Sequence, residues 1–101
     1  MKPETRFRQG RVIPFLKTLK NTCYFSVQQI AINGTPDMLL SCRGRFVGLE
    51  LKAESGKVSP LQEWNLKEIE RCHGVAIVAS PKNWVSVRAQ LKRLDEGVEN
   101  D

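Results

Sequence analysis

Gly34-Thr35-Pro36-Asp37 opens a stretch that continues through Cys42-Arg43-Gly44, the pair Glu50-Leu51-Lys52 and the run Gly56-Lys57-Val58-Ser59-Pro60-Leu61-Gln62. Its pattern decides the fold. Asp37 to Ser41 reads as a strand, Cys42-Arg43-Gly44 as a turn, and Arg45 to Ala53 as the returning strand of a hairpin. Side chains alternate along a strand, so Val47, Leu49 and Leu51 share one face, while Phe46, Gly48, Glu50 and Lys52 share the other. Ser59-Pro60 then supplies a hydroxyl N-cap and a proline at the first helical position. Glu63 falls one residue late for a capping box. The helix runs to about Cys72, with Leu61, Trp64, Ile69 and Cys72 as its expected buried stripe, and Gly74 stops it.

Outward from this stretch, Pro3 to about Lys20 reads as a helix with Phe7, Ile13, Leu16 and Leu19 on its apolar side. Pro14 clashes with the carbonyl of Gly10, so a kink or break is expected there. Cys23 to Val27 has strand composition, and Gln28 to Asn33 is a connection of no regular pattern. Val75 to Ala79 is an apolar run of strand length, and Ser80-Pro81 opens a last helix with Trp84, Val87, Leu91 and Leu94 buried. The order α-β-β-β-α-β-α predicts an α/β fold, a mixed β-sheet flanked by helices.

The chain has 101 residues, enough for a single domain over residues 1–94 but with little stability margin, so association of two copies is a reasonable expectation. Residues 1–94 hold 16 basic and 7 acidic residues, whereas Asp95, Glu96, Glu99 and Asp101 crowd four acids into the last seven positions. The segment 95–101 therefore reads as an acidic flexible tail, and the basic body suits a polyanionic partner. No apolar run reaches the ~20 residues of a membrane span, and the N-terminus lacks a signal-peptide core, so a cytoplasmic protein is expected. Cys23, Cys42 and Cys72 are scattered without CxxC spacing; they read as reduced thiols rather than zinc ligands.

Asp37 and Glu50 lie on adjacent strands, where two carboxylates can reach one hard divalent cation. The backbone carbonyl of Leu51 could add a ligand. Lys52, two residues beyond Glu50, sits roughly 7 Å further along the same strand face. An ammonium there can polarise a water and stabilise developing negative charge. Taken alone, Glu-x-Lys is an ordinary solvated pair; the neighbouring Asp37 makes it a candidate phosphodiesterase centre, for which Mg²⁺ supplies water activation and charge neutralisation.

Gly34-Thr35-Pro36-Asp37, Gly44-Arg45, Gly48-Leu49-Glu50-Leu51-Lys52, Gly56 to Gln62 and Gly74-Val75-Ala76 together resemble the VRR-NUC branch of the PD-(D/E)xK nucleases, in particular its small stand-alone bacteriophage versions. The resemblance implies a restriction-endonuclease-like core and a Mg²⁺- or Mn²⁺-dependent endonuclease. It makes Asp37 and Glu50 metal ligands, Lys52 the catalytic lysine and Gln62 a residue that hydrogen-bonds water, a ligand or phosphate. It also matches Glu4 to an additional ligand, although a helix N-terminal acid accounts for Glu4 equally well. Action on branched DNA such as four-way junctions, as a homodimer and inside a bacterial host cell, is implied likewise.

Two rivals remain open from the residues: a nuclease for duplex or flap DNA, and a non-catalytic DNA-binding accessory. Arg43 and Lys57, in loops taken to flank the site, and Arg6, Arg8 and Arg11 on the first helix are the candidate phosphate contacts, with Lys17 and Lys20 beyond them. Trp64 and Trp84 fall on helix faces expected to be core, with base stacking as the other use of an exposed ring.

Overall fold

The computed structural model describes residues 1–27, 33–54 and 56–98; the Gln28–Asn33 connection expected from sequence falls mostly outside them. The elements are α1 (Pro3–Phe7), a π turn (Arg8–Val12), α2 (Ile13–Leu16), β1 (Thr22–Ser26), β2 (Met38–Cys42), β3 (Arg45–Leu51), α3 (Pro60–Arg71), β4 (Val75–Ala79) and α4 (Trp84–Asp95). One four-stranded sheet runs in the order β1-β2-β3-β4. Its first three strands are antiparallel, and β4 lies parallel to β3, reached by the crossover through α3. The mixed α/β architecture is the expected one.

A two-residue turn, Arg43-Gly44, closes the β2–β3 hairpin, with Cys42 paired to Arg45. Both residues have positive φ, 51° and 85°, the geometry whose twist matches that of paired strands. This turn fixes the register in which Met38 faces Leu49, and one step further Asp37 faces Glu50.

One face of the sheet carries the main core. Met38, Leu40, Cys42, Val47, Leu49, Leu51, Ile77 and Ala79 pack there against Phe7, Val12, Leu16 and Leu19 from the N-terminal segment and Trp84, Val87, Leu91 and Leu94 from α4. The Trp84 ring stands edge-on between Phe7 and Phe15, at centroid distances of 5.5 and 5.6 Å, and joins the first helices to the last. The other face is covered by α3, with Leu66 buried and Ile69 half-buried. Gly48 allows the close approach: a Cβ there would stand 2.5 Å from Ile69 Cδ1.

The irregularity expected at Gly10–Pro14 is a π turn just before the proline rather than a break, and Val12 takes the buried place while Ile13 is only half-buried. Three other expectations are corrected. The buried stripe of α3 is not Leu61, Trp64 and Cys72, which are exposed; the helix meets the sheet through Gln62, Leu66 and Ile69, so Trp64 is 60% exposed. The last helix begins at Trp84 rather than at Pro81, because the Asn83 side chain accepts from Ser80 N–H and donates to the Val78 carbonyl, holding 81–83 as a turn. Finally, Asp95 is no part of a loose tail. It ends α4, is 6% exposed, and its Oδ1 accepts hydrogen bonds of 2.7 Å from both Asn21 N–H and the Thr22 hydroxyl.

Asp95 thus anchors the start of β1 to the end of α4. Asp95→Ala leaves a part-buried backbone donor unpaired and is expected to cost about 2–4 kcal/mol in denaturant unfolding, whereas exposed Glu96→Ala stays within about 0.5 kcal/mol.

Candidate active site

The hairpin register sets Asp37 across from Glu50 on the sheet face that α3 covers. Asp37 Oδ2 accepts a 2.8 Å hydrogen bond from Leu51 N–H, which holds the carboxylate against the end of β3. A strand residue directs its N–H and C=O to the same side, so the Leu51 carbonyl also looks toward Asp37.

Glu50 is 2% exposed, the most thoroughly buried acid described in the chain. Its Oε2 accepts from Gln62 Nε2 at 2.9 Å and pairs with Lys52 Nζ at 3.3 Å. Among the described residues its Oε1 meets no donor, and the Glu50 carboxyl lies within hydrogen-bonding reach of the Asp37 carboxylate. Burial first, and the Asp37 charge second, push the Glu50 carboxyl up to about 7; the Lys52 ammonium pulls the other way without prevailing.

Gln62 connects the site to its scaffold. Its Oε1 accepts from Lys52 Nζ at 3.0 Å and from Ser59 N–H at 2.9 Å, while Ser59 Oγ accepts from Gln62 N–H at 3.2 Å. This is a complete capping box with glutamine at N3. The sequence pattern Ser59-x-x-Gln62 carried that signal; Glu63, the acid weighed for the role, lies one position too late. Ser59 is the N-cap expected from the sequence, and its link to the site through Gln62 was not foreseen; the Leu51 N–H is the participant that sequence reasoning missed, legible only once the strands are paired.

The four residues expected at the centre, Asp37, Glu50, Lys52 and Gln62, come together. Lys57 is exposed in the loop between Lys52 and Gln62. Arg43 does not flank it: the Arg43-Gly44 turn is at the other end of β2, about 20 Å from Asp37 at the rise of an extended strand. Glu4 sits in the first turn of α1, and the charges acting on Glu50 are those of Asp37 and Lys52.

Among the described residues no group of three or more His, Cys, Asp or Glu side chains is placed to hold a metal. Two carboxylates and a carbonyl nevertheless suit Mg²⁺ or Mn²⁺, which commonly take one or two carboxylates and complete their shells with water and substrate phosphate. Glu50 Oε1, which meets no donor among the described residues, and the neighbouring Asp37 carboxylate are the oxygens such a cation would take.

No protein-family model, curated protein or solved structure matches the chain.

The raised Glu50 value has a sign that can be measured. Without metal, the folded chain holds the Glu50 proton to about pH 7 while the unfolded chain releases it near 4.5. Stability contributed by this group is therefore complete below pH 4.5 and lost as pH rises toward 7, by on the order of 3 kcal/mol. Urea unfolding in EDTA at pH 5 and pH 8 should show that loss. Glu50→Gln should largely abolish it, and millimolar Mg²⁺ should restore stability to the unaltered chain at pH 8.

Proposed function

We propose that the protein is a metal-dependent DNA endonuclease of the VRR-NUC type that hydrolyses phosphodiester bonds. The observation that carries this reading is the convergence of Asp37, Glu50, Lys52 and Gln62, from three separate segments, around a buried carboxyl set against a second carboxylate. A structural ion pair needs only the Glu50–Lys52 contact. It does not explain a second carboxylate set against the first, an arrangement that above neutral pH costs stability unless a cation replaces the proton that Glu50 holds below it.

In this reading Asp37, Glu50 and the Leu51 carbonyl hold Mg²⁺ or Mn²⁺, which when bound polarises the phosphate and acidifies a coordinated water. Gln62 fixes the orientation of Lys52 and Glu50. Lys52 directs an ammonium to where negative charge develops on the phosphate. Glu4 is a ligand only if the first turn of α1 reaches the same ion.

The substrate is DNA, and the branched DNA implied by the resemblance needs two sites in fixed relation, hence two copies. No helix among the described residues is long and apolar enough to cross a membrane. A face for a second copy exists. Phe25 on β1 and Phe46 at the start of β3 are 68% and 46% exposed on the sheet face that α3 only partly covers, Phe46 lining a groove with Pro36, Leu39 and Ile69, and Leu61 and Trp64 project from α3. At ~200 Å² per aromatic side chain, the exposed fractions of Phe25, Phe46 and Trp64 offer roughly 350 Å² per copy and about 700 Å² for two. The apolar share of a standard interface is about 900 Å². Light scattering should give twice the 11.5 kDa chain mass, and Phe25→Asp with Phe46→Asp should return the monomer. A monomer at every concentration before substitution would remove this face as a self-association surface.

Activity is tested on labelled linear, flap and four-way-junction DNA with Mg²⁺, Mn²⁺ or EDTA. Cutting should vanish in EDTA and fall roughly a hundredfold or more in Asp37→Ala, Glu50→Gln and Lys52→Ala. Paired nicks confined to the junction select the branched substrate. Cleavage of flap or linear ends selects the processing nuclease instead, and binding with no cutting under any metal points to an accessory protein. Cutting that survives chelation defeats the proposed centre.

A further inference from the structure

The N-terminal segment carries three arginines, and its π turn sorts them. Phe7 and Val12 are five residues apart, yet both are buried in the core. In an α-helix that spacing turns two side chains about 140° apart. The i→i+5 bond of Ile13 N–H to the Arg8 carbonyl stacks them instead. The same register carries the residues just before them, so Arg6 and Arg11 follow one side of the helix, with Gly10 between.

These three residues line a groove of about 600 Å³ whose opposite wall is Ala53 and Glu54, the two residues that follow Lys52. Arg8 is not among its lining. The groove lies at the carboxyl ends of the parallel pair β3 and β4, where Lys52 N–H bonds the Ala79 carbonyl at 2.9 Å. Crevices at such strand ends are the usual ligand sites of open α/β sheets. Both arginines are exposed. Arg6 makes a single 3.5 Å bond to the Met1 carbonyl, and Arg11 makes no described hydrogen bond or ion pair. At Gly10 an added Cβ would meet nothing within 4 Å, so the floor is open.

We propose that this groove holds the sugar–phosphate backbone of the DNA strand leading into the site, with Arg6 and Arg11 as its phosphate contacts and Arg8 outside it. The inference rests on the nuclease reading of the Lys52 centre and extends it from chemistry to strand path. Glu54, on the facing wall, opposes the backbone and provides an independent handle.

Binding of labelled duplex and junction DNA is measured by anisotropy in EDTA across a salt series, with thermal melting as the control for folding. Arg6→Ala and Arg11→Ala should each weaken binding about fivefold and reduce the salt slope by about one; Arg8→Ala should leave the slope unchanged. Gly10→Lys and Glu54→Gln, which remove no contact, should strengthen binding. Equal slopes for all three alanine variants, or no gain from Gly10→Lys, overturns the groove. Because no metal is present, the two readings fail separately. A chain that binds in this pattern but never cuts keeps the groove and loses the nuclease. One that cuts normally while indifferent to Arg6 and Arg11 does the reverse.

Discussion

A carboxylate closed off from water is the constraint on which the rest of the structure depends. Glu50, 2% exposed, has one oxygen bonded to Gln62 and Lys52, while the other meets no donor among the described residues and the carboxyl is set against Asp37. Burying an ionisable group this way is costly unless its neighbours repay it. Those neighbours come from separate places: Asp37 precedes β2, Lys52 follows β3, and Gln62 opens α3. The hairpin must therefore be in register, the crossover must return over the right half of the sheet, and the helix must be capped at the right residue. A one-residue slip in β3 would carry Glu50 into the face packed by Val47, Leu49 and Leu51.

The position of α3 follows from the same set of contacts. Gln62, Leu66 and Ile69 recur on one side of the helix, and Gly48 lets Ile69 settle close to the sheet. Gln62 is therefore a helix cap, a core-facing residue and a site residue at once. A helix pinned over β3 and β4 in this way cannot also cover β1, and Phe25 is left in solvent as a result, while Phe46, at the start of β3, lies beside the far end of α3 and is only partly covered. The apolar face and the buried centre are two outcomes of one placement.

Most of the strand order and the four central residues were legible in the sequence because they depend on alternation and turn chemistry, which act over a few positions. What was not legible depends on which side of a helix meets the sheet. Trp64 looks like core by hydrophobicity, yet it is exposed because Gln62 and Gly48, polar and small, decide the contact. Asp95 looks like a tail by charge, yet its carboxylate closes the Asn21 and Thr22 donors, a pairing across more than seventy residues. Arg43 looks like a neighbour of Asp37 because the chain reverses between them and the site; measured along β2, the turn lies at the opposite end of the strand. The π turn is a similar case. Pro14 signals trouble in the helix, but whether the helix breaks or widens is settled by Phe7 and Val12, which both reach the core only if one extra residue is absorbed.

On the nuclease reading, attraction of DNA and admission of the scissile phosphate are separate electrostatic terms. Arg6 and Arg11 attract a backbone whatever the state of the centre. The centre itself, with Asp37 and Glu50 against a single Lys52, repels phosphate once both acids are ionised. A proton on Glu50 relieves that repulsion up to about pH 7, but it also occupies the oxygen that would otherwise be free to coordinate. A divalent cation relieves the same repulsion and leaves both carboxylates ionised. The burial that raises Glu50 thus sets proton and cation in competition for one oxygen, so that above neutrality the cation takes the place that the proton leaves.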